Sequence, residues 1–252
     1  MVVRVVEVDV VRNSEHDLLR RDLQLAILSD IENCLIDFVF LSPPCASWPR
    51  ALFNRMVKGP LPLRSKTHPW GFPWLTGVRK AKLMRANTLT KFAIKVIQAA
   101  CMAKVGVMLE HPEDLGRHYT GARPASIWQL PELQHMATQF GATRKAFHQF
   151  PYGASSPKPS GLWTTIVTHN DFGVVGWPQF NHRGDYTGPL ARIAARPMPM
   201  GPNKTGASAR YPDKLCQKLA AMIIEHLVGL RDAPTSGGRG VAYRAIAEAG
   251  DL

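Results

Sequence analysis

The sequence predicts an α/β fold with a parallel sheet, on three observations. Two short apolar, β-branched runs end in polar or Pro-rich turns, and a stripe of apolar residues at helical spacing lies between them. The composition, 45% hydrophobic and 20% charged over 252 residues, is that of one globular domain with enough chain to bury a core.

The first run, Val2 to Val10, carries Glu7 and Asp9 near its end, and the second, Leu35 to Leu41, stops at Ser42-Pro43-Pro44. Both read as buried parallel strands. Leu23, Ala26, Ile27 and Ile31 between them are spaced for a crossover helix. Residues 49 to 78 follow as a Pro- and Gly-rich loop, too long for a simple connector and suited to a lid over a site. Lys80 to Met102 predicts a helix with Leu89, Phe92, Ala93, Val96 and Ala100 on one face, and Val105 to Leu109 predicts a strand that ends at Glu110-His111-Pro112. A helix over about Ser126 to Gln139 precedes a strand pair near Thr143 to Gln149 and Leu162 to Thr168. Asp171 to Ser208, without periodicity, reads as loop with short strands. Pro212 and Asp213 open a last helix, in which Leu215, Leu219, Met222, Ile223 and Leu227 recur every three or four residues. One domain is expected over 1–230, with a flexible tail over 231–252 where Gly, Ser, Ala and charge take over.

No apolar run approaches the roughly 20 residues of a membrane span, and the N-terminus lacks the pattern of a secretory signal. No membrane association is expected. An intracellular protein is, nuclear in a eukaryote and cytoplasmic otherwise. Cys34, Cys45, Cys101 and Cys216 are far apart and form no CxxC pair, so free thiols are expected. The histidines show no ligand spacing, and no metal is expected.

Charge is segregated. The net +12 comes from 31 basic and 19 acidic residues, and Phe38 to Leu109 holds 12 of the cations and no Asp or Glu, so the remainder balances at 31 − 12 = 19 against 19. Such a stretch suits a polyanion, because each neutralised phosphate releases counterions. Nucleic acid is the expected partner, with Arg50, Arg64, Lys66, Arg79 and Lys80 as phosphate contacts. Trp48, Phe53, Trp70, Phe72 and Trp74 lie among these cations, where they either stack on unpaired bases or pin the loop to the body.

In an alternating α/β chain, reactive groups gather where the carboxyl ends of the strands form a crevice. Glu7 and Asp9, Cys45, and Glu110 all fall at such ends. Pro43 and Pro44 stop the second strand and fix the place of the thiol, and nearby cations favour its thiolate.

These residues resemble the cytosine-5 DNA methyltransferases, most closely their compact phage and mobile-element forms. Pro43-Pro44-Cys45 looks like that family's nucleophile motif, and Glu110-His111-Pro112 is similar to its Glu-Asn-Val or Glu-Asn-Pro motif. FHQFPYGASSPKPSGLWTT resembles its Tyr-Gly segment with a following basic residue, here Tyr152, Gly153 and Lys158. TGASARYPDKLCQKLAAMI resembles the Gly-Asn-Ser-Val-Pro segment and helix that close the catalytic domain, without the Asn. The four occur in family order.

The resemblance implies a Rossmann-like core dependent on S-adenosylmethionine. Cys45 would add to cytosine carbon 6, Glu110 would hydrogen-bond ring nitrogen 3 and the amine, and Lys158 would complete the catalytic set. The substrate would be a cytosine flipped out of DNA. Glu7 or Asp9 would take the ribose hydroxyls and Asp17 the adenine edge, with Pro43 lining the same crevice. The family's Gly-rich loop should precede the strand at which this chain begins, so the core is expected to be N-terminally incomplete, without its first strand and that loop, and activity is expected to be impaired. No segment between Lys158 and Gly206 is long enough for a large target-recognition domain. Two other readings remain: an amino-methyltransferase using the Ser-Pro-Pro turn, and a non-catalytic nucleic-acid-binding remnant of a mobile element.

Overall fold

The computed structural model describes residues 2–48, 50–53, 59–192, 210–232 and 241–246, with the side chains of 51, 192, 231–232 and 241–246 left out. It is an α/β fold with a mixed sheet. Four helices are described: α1 (Arg21–Glu32), α2 (Gly77–Met102), α3 (Pro131–Phe140) and α4 (Asp213–Asp232). The strands of the main sheet are β1 (Arg4–Val8), β2 (Phe38–Ser42), β3 (Gly106–Pro112), β4 (Thr143–His148), β5 (Pro159–Thr164), β6 (Val174–Val175) and β9 (Val241–Ile246), and a small hairpin pairs β7 (Gln179–Phe180) with β8 (Tyr186–Gly188). The sheet order is β1-β9-β2-β3-β5-β4-β6. β1, β9, β2 and β3 run parallel, whereas β5 is antiparallel to β3 and β4.

Alternation along the central strands builds two cores, one on each face. Val39 and Leu41 of β2, with Val107 and Leu109 of β3, pack with Ile27, Ile31, Phe92, Val96, Ile97 and Leu133 from α1, α2 and α3. Phe38, Phe40 and Met108 point the other way and pack with Leu215, Leu219 and Met222 of α4. Three layers result. Fully burying a side chain of this size contributes about 1.5–3 kcal/mol, so these two strands anchor the sheet. α3 begins at Pro131, whose fixed φ suits the first turn, and ends at Gly141, which takes the left-handed φ of 65° that closes a helix.

Several expectations are corrected. Among the described residues β1 pairs with β9 alone and lies at the sheet edge with Val5 exposed, so it is not a strand buried on both faces. Ala26 of α1 is exposed, while Ile27 and Ile31 carry the packing. The segment expected to be a tail from Arg231 instead completes α4 and then contributes β9, which fills the place between β1 and β2 where the sheet was expected to lack a strand. Residues 233–240 and 247–252 lie outside the described residues, as does Gly206.

Candidate active site

At the carboxyl ends of β2 and β3, four segments distant in sequence meet. Glu110, in the second half of β3, is buried, and its neighbours fix both of its oxygens. The Tyr211 hydroxyl, just ahead of α4, donates to Glu110 Oε2 at 2.6 Å. That uses the one proton of Tyr211, so in its 2.8 Å bond with Ser42 the tyrosine oxygen accepts. Gln149 Nε2, fully buried just past β4, donates to Glu110 Oε1 at 3.3 Å and to Ser160 Oγ at 2.8 Å. Burial and the Glu110 carboxylate hold the Tyr211 hydroxyl well above the ordinary tyrosine range, so Tyr211 acts as a donor here and not as a phenolate.

Cys45 follows Pro43 and Pro44 in a tight turn, closed by the Trp48 amide donating to the Cys45 carbonyl at 2.8 Å. Desolvation pushes its thiol up to about 11, the Glu110 charge adds to the rise, and the Lys158 ammonium opposes it. Cys45 nevertheless keeps exposed surface, so water offsets part of that rise. The expectation that the acid-free segment favours thiolate is corrected: Lys158 is the cation acting on this sulfur, and the net direction is upward. Lys158 Nζ lies over the Tyr211 ring, 5.4 Å from its centroid, on a residue with a left-handed φ of 37°. The site therefore pairs an accessible thiol with a braced carboxylate and an ammonium. Such a set can present a nucleophile on one side of a small planar substrate and hydrogen-bond its polar edge on another.

Glu7, Asp9, Asp17 and Pro43 surround the end of β1 and the start of the Pro-Pro turn, but they are not equivalent. Asp9 is buried and builds the turn after β1: its Oδ1 accepts from the Val11 amide at 2.8 Å, and its carbonyl accepts from the Arg12 and Asn13 amides. Asp17 Oδ1 accepts from the Leu19 amide at 3.0 Å. Glu7 is half-buried, with the Arg12 Nε 3.8 Å from it. Pro43 lines a small apolar cleft with Leu18, Leu41, Pro44 and Phe92.

The expected phosphate contacts divide. Arg64 is corrected to a structural residue: it is 1% exposed, donates to the Pro69 carbonyl and to Ser47 Oγ, both at 2.9 Å, and lies 3.8 Å from the centre of the Trp48 ring. Burial lowers even its guanidinium, to about 10. Arg50 is half-buried and donates to the Leu115 carbonyl at 2.9 Å. Lys66, Arg79 and Lys80 are exposed, with Arg79 donating to the Pro62 carbonyl at 3.1 Å.

The aromatics divide as well. Trp48 is buried under Arg64, whereas Trp74 is 66% exposed and stacks on Phe72 with a centroid separation of 4.8 Å. Trp48 pins the loop, and Trp74 presents a free face.

Sequence reasoning missed Gln149 and Tyr211. Both sit inside segments with recognisable patterns, and Tyr211 immediately precedes the Pro-Asp pair that opens α4, a position from which a side chain reaches the strand ends. No family model, curated protein or solved structure matches the chain. Among the described residues, no helix is long and apolar enough to cross a membrane.

Proposed function

We propose that this protein is a DNA cytosine-5 methyltransferase that uses S-adenosylmethionine. One observation carries the reading: Cys45, Glu110 and Lys158, from three segments that resemble that family's motifs in its order, meet in one place, and Gln149 and Tyr211 brace the carboxylate there. The parallel part of the sheet supports the reading further, since β1-β9-β2-β3 follows the 2-1-4-5 portion of a doubly wound sheet, with β9 in the slot of its first strand.

The residues around β1 fit the adenosine half of the cofactor. Asp9 is committed to its turn, which leaves Glu7 for the ribose hydroxyls, and the shallow apolar surface at Pro43 offers contact to one edge of a ring without enclosing it. When bound, S-adenosylmethionine supplies an electrophilic methyl group. The chain's own residues do the rest. Cys45 passes its proton to a water as the substrate enters and Lys158 stabilises the anion, and its sulfur then bonds to carbon 6 of the flipped cytosine, the 5,6 double-bond pair moving to carbon 5. Glu110, held by Tyr211 and Gln149 and protonated as the base enters, donates to ring nitrogen 3 and accepts from the exocyclic amine, where charge develops. After carbon 5 takes the methyl, its proton passes to a water, that electron pair re-forms the 5,6 double bond, and the carbon 6–sulfur bond breaks with Cys45 leaving as thiolate. The pushed-up thiol calls for substrate-assisted activation, so the free enzyme is a weak alkylation target.

The test is methyl transfer to a cytosine-containing duplex. Cys45→Ser and Glu110→Gln should each lower it by about a hundredfold or more, while DNA affinity stays within a few-fold. Methyl transfer to the exocyclic amine would contradict the reading. So would failure of well-folded protein to bind S-adenosylmethionine in a calorimetric titration.

A further inference from the structure

Outside the cleft, a second concavity of about 120 Å³ is lined by Lys66, Arg117, Arg123, Gln129, Phe180 and His182. Three segments distant in sequence build it. Lys66 comes from the Pro-rich loop, Arg117 and Arg123 from the loop after β3, and His182 from the turn between β7 and β8.

The backbone holds these segments together. The Lys66 amide donates to the Arg123 carbonyl at 2.9 Å and the Arg117 amide to the Gly184 carbonyl at 2.8 Å. Gly116 and Gly184 have left-handed φ values of 67° and 86°. A Cβ on Gly116 would stand 2.6 Å from the Gly184 carbonyl oxygen, so this close approach requires glycine.

Charge within the concavity is cationic on balance. Lys66, Arg117 and Arg123 stand against Asp185, which pairs with Arg117 at 2.9 Å, and Asp114, buried behind Gln129. Lys66 Nζ lies 5.8 Å from the Phe180 ring centroid. Among the described residues, Arg123 is exposed and its guanidinium has no carboxylate partner. Arg50, five residues past Cys45 in the chain, adds a further cation near these groups: it donates to the Leu115 carbonyl at 2.9 Å, and the charges of Asp114 and Asp185 act on it.

We infer that this concavity is a phosphate-binding subsite for the DNA backbone, with Arg123 and Lys66 as its main contacts. The inference rests on the proposed DNA substrate and adds where the strand is gripped. Planar guanidinium groups that are not already paired are the natural donors to a phosphodiester oxygen. The β7–β8 turn thereby becomes part of the nucleic-acid interface.

The test is anisotropy of a short labelled duplex titrated at several salt concentrations against the full chain and its variants. Lys104→Glu serves as control, because Lys104 is exposed at the opposite, amino end of β3. Arg123→Glu and Lys66→Glu should each weaken binding about tenfold beyond the control and lower the slope of log affinity against log salt by about one. Arg123→Gln should lower the slope without introducing repulsion. Equal binding by the subsite variants and the control, with unchanged circular dichroism, would overturn the subsite and leave DNA binding standing. Absence of salt-dependent binding by the wild type would overturn both.

Discussion

His111 is buried between Trp48 and Trp128, with ring centroids 5.8 and 6.3 Å away. Desolvation lowers its pKa to about 3, and the Arg64 charge adds to the effect. The unfolded chain takes up this proton near the ordinary value of about 6.5, whereas the folded chain resists until far lower pH. Folded stability is therefore complete above about pH 6.5 and falls as pH drops from there towards about 3, by up to about 1.4 kcal/mol per pH unit from this group. Urea unfolding at pH 7 and pH 4.5 should show this loss, and His111→Asn should reduce it; an unchanged pH dependence would contradict the assignment. Tyr211 permits a second prediction at the same scale. Tyr211→Phe removes the 2.6 Å donor to buried Glu110, leaving it Gln149 and the longer 3.4 Å bond from Ser42, and should cost about 1–3 kcal/mol, read from urea unfolding. Charge alone misleads about single residues. The sequence makes Arg64 look like a phosphate contact, but no sequence pattern reports that Trp48 and Ser47 fold over it.

Between elements, one buried ion pair ties the end of β3 to β4. Arg144 pairs with Glu113 with both side chains fully buried, donates to the Gly176 carbonyl at 2.9 Å and lies over the Trp128 ring, and the Tyr186 hydroxyl donates to Glu113 at 2.8 Å. Desolvation raises the Glu113 carboxyl and Arg144 opposes that rise. Removing one partner leaves an uncompensated buried charge, so Arg144→Met should destabilise by about 3–5 kcal/mol, and the double variant with Glu113→Leu should recover part of that loss in a thermal melt. β5 leaves no room at its third residue. A Cβ on Gly161 would stand 2.5 Å from Arg144 Nη2 and 2.7 Å from the Trp128 ring, so Gly161→Ala should cost about 1–3 kcal/mol. Neither the ion pair nor this contact is legible in the sequence, because both join strands through side chains that look exposed by type. α2 and α4 are legible because each carries the helical period on a buried face, and β2 and β3 because each is a short apolar run buried on both faces. β9 is not. It follows a Gly- and Ser-rich stretch, and its pairing with β1 and β2 is a long-range contact that leaves no local signature.

Across the described residues, the parallel strands β2 and β3 bring their polar ends to one side of the sheet, and exposed cations are numerous. The acid-free segment supplies exposed Lys66, Arg79 and Lys80, and Lys66 lines one concavity with Arg117 and Arg123 from later in the chain. Affinity for DNA should therefore fall steeply with salt, and affinity that does not change with salt would remove the electrostatic argument. The convergence of Cys45, Glu110, Lys158 and Tyr211 remains the central claim, and covalent capture tests it most directly. A duplex carrying 5-fluorocytosine cannot lose a proton from carbon 5 after methylation, so the sulfur adduct should persist. In the presence of S-adenosylmethionine, the protein should form a denaturant-stable complex with that duplex, with the peptide containing Cys45 attached, and Cys45→Ser should form none. If well-folded protein binds the duplex but forms no adduct, or forms one that Cys45→Ser retains, the account of the active site is wrong.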